Sequence, residues 1–305
     1  MLESNSKKDF NSTVEFLIDN NIKHALNYSM SEYASWTVGA TTPLMIHPQS
    51  LKEFKVVIEE VKKRKIRFYI SGNGSNTLFL KLSRTIVIST KRLNKITFSQ
   101  DQEVTVECGT PLALVLSKSL KKGLVGFEFS SGIPGTIGGA LITNAGANGG
   151  TISESLESIY FLKKNIEIEV PKNEIKFNYR SSSITRRDII LRAKFKLKIG
   201  DTEQARENIK KYIKHRNNTQ PVEYPSAGSV FINNKDCAAG ERIERLGLKG
   251  LSIGGAEVSK LHANYIINTG KATKEDIHNL IKKIQEISLE KEGVALSTEV
   301  KIVNE

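Results

Sequence analysis

The sequence lacks several things, and each absence removes a class of function. It has no stretch of the roughly 18 consecutive apolar residues that a membrane-crossing helix needs. The opening Met1-Leu2-Glu3-Ser4-Asn5-Ser6-Lys7-Lys8-Asp9 has no apolar core of the secretory-signal kind, so a cytoplasmic location is expected. Cysteine occurs twice, at Cys108 and Cys237, too sparsely for a disulfide framework or a thiolate metal site. His24, His47, His215 and His278 form no metal-binding or catalytic spacing, and no metal is expected. No G-x-x-x-x-G-K-[ST] run occurs, which removes a P-loop. Aromatic residues make up only 7% and are scattered rather than interleaved with Lys and Arg, which argues against nucleic acid as a partner.

What is present is a surplus of positive charge. The 305 residues carry a formal net charge of +12, a balance that favours anionic partners, among them small polyanionic cofactors. The densest basic cluster, Lys62-Lys63-Arg64-Lys65, has a local explanation. It ends a helical pattern of apolar Leu51, Phe54, Val57, Ile58 and Val61, where cations complement the helix dipole. Length and an ordinary 39% hydrophobic content allow two or three domains with a sizeable core.

Patterning predicts helices over 51–65 and 111–121, another starting at Asp201, and a last one capped at Thr273 with Gly293 as its stop. Strands are expected at 66–70, 84–90, 103–107, 158–162, 189–197 and 298–303. Asn217 to Tyr224, containing Pro221, reads as a linker. Helices and strands mix without strict βαβ alternation, so an α+β fold is expected.

Two glycine loops carry the chemistry. The first, Ser71-Gly72-Asn73-Gly74-Ser75-Asn76, follows the strand expected at 66–70. It is not a Rossmann fingerprint: Thr77 stands where a third glycine belongs, and Thr77-Leu78-Phe79-Leu80 favours no helix start. What remains is either an ordinary turn or a nest of backbone N–H groups fit for phosphate. The second loop, residues 127–150, holds seven glycines in 24 positions, yet Ile133, Ile137, Leu141 and Ile142 would pack. Pro134 stiffens it, and Thr136 and Asn144 offer hydrogen bonds. Such a segment is suited to lie along a flat or extended ligand.

G-x-G-S-N after a strand, then G-I-P-G-T-I-G-G-A-x-x-x-N-A-G-A about 60 residues later, resembles the flavin domain of vanillyl-alcohol-oxidase-type FAD proteins. Within that group the chain resembles the UDP-N-acetylenolpyruvoylglucosamine reductase (MurB) family. The further matches are Tyr179-Arg180-Ser181-Ser182-Ser183, Pro225-Ser226-Ala227-Gly228-Ser229-Val230-Phe231, Gly247-Leu248-Lys249-Gly250, Ser259-Lys260-Leu261-His262-Ala263-Asn264-Tyr265 and Thr298-Glu299-Val300, in family order along nearly the whole chain.

The resemblance implies a two-lobed FAD-binding domain with a smaller α+β substrate-binding domain. It divides the chain into 1–70, joined by a returning strand 295–305, then 71–218 for the second FAD-binding lobe, and 219–294 for substrate. It implies reduction of an enol ether conjugated to a carboxylate, giving UDP-N-acetylmuramate for peptidoglycan, with NADPH as reductant and non-covalent FAD as carrier. Hydride passes to the enolpyruvyl methylene carbon from flavin N5, and the adjacent carbon takes a proton. Arg180, Ser229 and Glu299 are the implied catalytic set: guanidinium to hold the carboxylate, hydroxyl to donate the proton, and a carboxylate to orient or polarise. FAD is expected on residues 71–76, on Gly132, Ile133, Pro134, Gly135, Thr136, Gly138, Gly139 and Ala140, and on Asn144, Gly146 and Ala147. Tyr179, Arg180 and Asn233 are expected on substrate. A monomer is expected, without nucleic-acid or membrane partners. The remaining same-fold reading is an FAD oxidase or dehydrogenase of an alcohol or hydroxy acid.

This sequence departs from the family pattern in places. Ile232 replaces the usual lysine of Lys-Asn-Pro, Thr37 replaces an arginine, Asn148 stands where many relatives have tyrosine, and Leu261 stands where lysine often precedes His262. The family's H-A-N segment is chiefly structural, so His262 is given no catalytic role. No long insertion falls between 219 and 294, which fits the compact form of the family without an extra substrate-capping loop.

Overall fold

Ser50 starts the helix Leu51–Lys63: its side chain accepts the amide of Glu53 at 3.2 Å. The helix buries Phe54, Val57, Ile58 and Val61, a contribution of about 2 kcal/mol apiece relative to exposure. It ends in a Schellman-type turn, with Lys65 at φ 55° and the amide of Ile66 returning to the carbonyl of Val61 at 2.9 Å. The expected strand at 66–70 is therefore displaced to Phe68–Ser71. The protein is described here from a computed structural model covering the backbone from Leu2 to Glu305 and side chains from Lys8 onward.

The chain forms two compact units. The first takes the N-terminal segment through Tyr28, Thr42–Asn73 and Arg84–Tyr212; the second takes Ser29–Thr41, Gly74–Ser83 and Ile213–Glu305. In the first, a four-stranded sheet runs His24–Ser29, Thr41–Ile46, Ile86–Ser89, Phe68–Ser71. The last three strands are mutually parallel neighbours. A second sheet is antiparallel and five-stranded, ordered Ile166–Pro171, Leu156–Lys163, Ile189–Lys196, Glu103–Glu107, Ile96–Phe98. One apolar core, including Leu44, Phe54, Ile88, Val106, Phe127 and Phe195, is shared by helices and both sheets.

The second unit has its own core around Trp36, Val230, Phe231, Ile243, Ile277 and Ile281. Trp36 is 1% exposed and donates its indole N–H to the carbonyl of Ile266 at 2.7 Å, while Asn268 donates back to the carbonyl of Trp36 at 3.0 Å. Thr273 caps the helix Lys274–Glu292 in a full capping box with Asp276, and Gly293 follows at φ 68°. The strand Lys301–Asn304 pairs in parallel with Thr77–Lys81.

Two expectations are corrected here, and one element was not anticipated. The helix begun at Thr202 runs to Thr219, through the Asn217–Asn218 pair assigned to a linker; nothing stops it before Pro221, which supplies no amide and disfavours helix at the residue before it. The glycine segment contains a short helix, Ile137–Thr143, ended by Asn144 in the left-handed region at φ 45°. The terminal strand starts at Lys301 rather than 298, because Thr298 makes an isolated bridge with Phe231. Among the described residues no helix is long and apolar enough to cross a membrane, and no group of three or more His, Cys, Asp or Glu could hold a metal ion.

Candidate functional site

The parallel strands Phe68–Ser71 and Ile86–Ser89 end side by side, and the carboxyl ends of such strands are where open sheets of this kind receive ligands. The Thr90 amide and hydroxyl both reach the Ser71 carbonyl, at 2.9 and 3.3 Å, which fixes the start of the 71–76 loop. Gly72 follows. A Cβ there would sit 2.3 Å from Oγ1 of Thr136, so only glycine lets the two glycine-rich loops meet. Two segments some sixty residues apart in sequence are thus brought into contact within the first unit. The field at this edge is positive: burial, then Lys23, Lys91 and Arg92, hold the His47 imidazole below its ordinary pKa, and burial also lowers that of Lys91.

The second loop is pinned before its helix begins. The amide of Leu112 donates to the carbonyl of Gly135, that of Ile137 to Thr110, and that of Gly138 to Cys108 at 2.7 Å. A Cβ on Gly138 would stand 3.2 Å from both Cβ and carbonyl oxygen of Cys108, tight enough to push the helix away. Cys108 itself is fully enclosed; burial, reinforced by Glu107, pushes its thiol up to about 12, so it stays protonated and inert. Gly132 adopts φ 84°, and the Ile133 amide closes that turn on the carbonyl of Ser130 at 2.9 Å. Pro134 and Gly139 lie exposed, whereas Ala140 is buried against the core.

Beyond Asn144 the chain forms a tight hairpin in which Gly146 faces Thr151 and Ala147 faces Gly150. Asn148 and Gly149 at its tip have φ 54° and 84°, the pairing of a type I′ turn. The hairpin, Asn144, Tyr179 and Arg180 line a cavity of about 260 Å³. Asn144 is buried; its amide donates to the carbonyl of Asn178 at 3.0 Å, and its Oδ1 has no hydrogen-bond partner. Arg180 has φ 54°, donates from Nη1 to the carbonyl of Gly146 at 2.7 Å, and places its guanidinium 5.4 Å from the centre of the Tyr179 ring. Tyr179 is 58% exposed.

In the second unit Gly228 takes φ 76° and delivers Ser229, half-buried, to the start of an apolar turn. Val230 and Phe231 are then held from two sides. Asn264 is 3% exposed, accepts the Phe231 amide and donates to the Phe231 carbonyl, both at 2.9 Å. The amide of Glu299 donates to the carbonyl of Val230 at 2.8 Å. Asn76, last residue of the first glycine loop, donates from Nδ2 to the carbonyl of Glu299 at 3.3 Å and accepts the amide of Lys301 at 3.0 Å. Gly74, Ser75, Asn76, Ser229 and Glu299 therefore belong to one unit, and Ser71, Gly72, Asn73, the 132–147 residues, Tyr179 and Arg180 to the other. Asn233 is exposed and accepts the amide of Ala239 at 3.0 Å, so part of its polarity is spent on starting the helix Ala239–Arg245.

His262 fits a structural role. Its Nδ1 accepts the amide of Asn264 at 3.2 Å, its ring lies 4.8 Å from that of Tyr265, and burial holds its pKa below the ordinary value. Thr37 is engaged likewise, its hydroxyl accepting from Asn268 at 3.1 Å. Sequence reasoning missed Thr90 and the Lys91-Arg92 pair, and placed Asn264 in a structural segment without its bond to Phe231. For Thr90, Lys91 and Arg92 the available signal was a polar or basic residue placed immediately after an apolar strand.

Comparison with known proteins shows the family and the fold. The family model described as UDP-N-acetylenolpyruvoylglucosamine reductase, C-terminal domain, matches residues 220–303, and an FAD binding domain model matches 42–165. A UDP-N-acetylenolpyruvoylglucosamine reductase of Clostridium novyi is 39% identical over 301 residues, covering 97% of each chain. One of Clostridium tetani is 39% identical over 305 residues, covering 99% of this chain and 98% of its own. The crystal structure of the corresponding Thermus caldophilus reductase superposes with a TM-score of 0.78 at 27% identity, over 93% of this chain and 99% of that one. Such similarity, nearly end to end, places the chain in the UDP-N-acetylenolpyruvoylglucosamine reductase family.

Proposed function

We propose that this chain reduces the enolpyruvyl ether of UDP-N-acetylglucosamine to UDP-N-acetylmuramate, a step of peptidoglycan precursor synthesis in the cytoplasm. Its family makes it an FAD-dependent oxidoreductase with NADPH as reductant, and does not favour the alcohol-oxidase alternative. The observation that carries the assignment of residues is the run of hydrogen bonds joining Asn76, Glu299 and Val230, which ties the first glycine loop to both Glu299 and the Ser229 segment.

The residues present fit FAD. Gly72 against Thr136 makes a junction of two glycine loops whose backbone N–H groups suit a pyrophosphate, and the positive field from Lys23, Lys91 and Arg92 suits its charge. Asn144 keeps a buried acceptor without a partner beside a cavity, as a ligand donor would require. Residues 71–76, Gly132–Ala140, Asn144, Gly146 and Ala147 would hold the group. Bound there, FAD would supply the two-electron relay between NADPH and the enolpyruvyl methylene carbon.

The chain's own residues supply the rest. Hydride arriving at the methylene carbon leaves an electron pair on the adjacent carbon, delocalised into the carboxylate. The Arg180 guanidinium would hold that carboxylate and stabilise the added charge. Ser229 would give its hydroxyl proton to the adjacent carbon, completing the saturated lactyl ether, and recover a proton from solvent. Glu299 would polarise the enol ether from the neighbouring strand end. Tyr179 and Asn233 would bind the remainder of the UDP-sugar. By function the chain divides into FAD-binding parts 1–70 with 295–305, and 71–218, and a substrate part 219–294, and it acts as a monomer.

The test is anaerobic stopped-flow absorbance in the visible flavin band. NADPH is expected to bleach the protein, and the UDP-sugar enolpyruvyl ether to restore the colour. Bleaching by an alcohol with no response to NADPH would overturn the proposal.

A further inference from the structure

Asn148 makes a contact that its place in the turn does not require. The type I′ geometry explains the residue type, since Asn-Gly is the favoured pair where both central residues have positive φ. The turn makes no demand on the side chain. Yet Nδ2 of Asn148 donates to the carbonyl of Phe129 at 3.2 Å and to that of Ser131 at 3.4 Å. These carbonyls belong to the short 3₁₀ turn Glu128–Ser130 and the residue after it, directly before Gly132. At the other end of the same hairpin, the carbonyl of Gly146 receives the Arg180 guanidinium at 2.7 Å. Gly150 closes the packing: a Cβ there would lie 2.9 Å from Cβ of Phe129.

We infer that Asn148 is a positioning residue, whose side-chain amide locks the Gly146–Thr151 hairpin onto the Phe129–Ser131 turn and so sets Arg180 in register with the opening of the glycine segment. The inference rests on the roles given above to Arg180 and to residues 132–140. The hairpin is the common element. Arg180 bonds its first strand, Asn148 at its tip bonds the turn, and the turn leads into Gly132 through three residues of backbone. An aspartate or a glycine at 148 would leave the turn shape intact and the two carbonyls without this donor. Asn148 therefore acts through Arg180 and the glycine segment, with no need to touch substrate.

The type I′ turn makes a clean experiment possible, because Asn148→Gly and Asn148→Asp both retain the positive-φ preference and both lose the donor. Hydrogen exchange of the flavin-free protein reads the lock directly. Faster exchange is expected in both 127–133 and 145–152 in either variant, compared with wild type. The loss of two partly exposed hydrogen bonds is expected to weaken FAD binding, followed by quenching of flavin fluorescence, roughly three- to tenfold. NADPH bleaching of the FAD-saturated variants should be unchanged, while KM for the enolpyruvyl ether rises; Asn148→Gln, which keeps the amide but loses the positive-φ preference and the reach, should restore neither FAD affinity nor KM. Faster exchange confined to 145–152, with wild-type FAD affinity, would overturn the inference and leave the proposed function standing. Wild-type protein that fails to bind FAD would overturn the proposed function and this role with it.

Discussion

The backbone amide of Glu299 donates to the carbonyl of Val230 at 2.8 Å, so the residue after Ser229 and the residue proposed to polarise the substrate share one hydrogen bond. Because that bond is between main-chain groups, side chains at 229 and 299 can be changed without breaking it. Ser229→Ala should then keep flavin bleaching by NADPH and lose the recovery with the UDP-sugar enolpyruvyl ether. The expected loss in the second half-reaction is roughly a hundred- to ten-thousandfold, the usual range for removing a positioned proton donor. Equal slowing of both half-reactions, measured by anaerobic stopped-flow, would remove Ser229 from the proton-donor role.

Arg180→Lys keeps the charge and loses the fork. A guanidinium binds a carboxylate through two parallel hydrogen bonds, whereas an ammonium acts as a point charge. The Gly146 carbonyl, now 2.7 Å from Nη1, would also lose a donor held in a fixed plane. A fall in kcat/KM of about a hundredfold, near 2.7 kcal/mol of transition-state stabilisation, is expected in steady-state assays. A variant with wild-type kcat/KM would show that substrate carboxylate is held elsewhere.

Gly72→Ala tests the junction of the two glycine loops. The added methyl carbon would stand 2.3 Å from the Thr136 hydroxyl oxygen, and the remaining Thr136 atoms at 3.2 and 3.3 Å leave no slack. The variant should purify with little flavin. Adding Thr136→Ala removes the atom in collision, so the double variant should regain FAD on titration. Loss of flavin in both would locate the defect outside this contact.

Much of this site was legible in the chain, and the parts that were not share a cause. The glycine loops announce themselves because each needs a residue type at a fixed local spacing, whereas Tyr179-Arg180 and the Ser229 turn stand out only through their resemblance to the family's motifs. Helices such as Leu51–Lys63 were legible for the same reason, their cap and apolar stripe being local. Asn264 and Asn148 were not. Their partners, Phe231 and Phe129 with Ser131, lie 17 to 33 residues away, and nothing in the neighbouring residues marks an asparagine as a bracket for a remote backbone. The helix through Asn217–Asn218 was misread because local propensity disfavours asparagine there, while the stop that matters, Pro221, comes later.

Asn264→Leu probes the bracket behind Ser229. The substitution conserves volume but strands the amide and carbonyl of Phe231, both inside the core of the second unit. Each buried group left without a partner costs about 1 to 3 kcal/mol, so a total of about 2 to 6 kcal/mol is expected in chemical denaturation. Asn264→Asp should cost less, since it keeps the acceptor for the Phe231 amide. Equal stability of the leucine variant and wild type would mean that the Phe231 groups find water or another partner.

His262 should make stability depend on pH in a defined direction. Burial, with Lys249 adding repulsion, holds its pKa below the ordinary 6.5, and Nδ1 is already an acceptor for the Asn264 amide. Protonation would turn that acceptor into a donor facing an N–H. In the unfolded chain the ring takes up a proton as pH falls through about 6.5, whereas the folded chain resists until lower pH. The unfolded state therefore binds more protons in that window, and stability falls as pH is lowered through it, the loss ending only once the folded pKa is passed. His47 and His278 are depressed too and contribute with the same sign. Thermal unfolding of wild type and His262→Gln between about pH 7.5 and pH 5 isolates the His262 share, because the variant keeps only the slope from the others. The variant should be less stable at the upper end, where the ring packs on Tyr265 and Gly240, and should lose less on acidification. Parallel curves would show that the His262 ring is protonated in the folded protein as readily as in water.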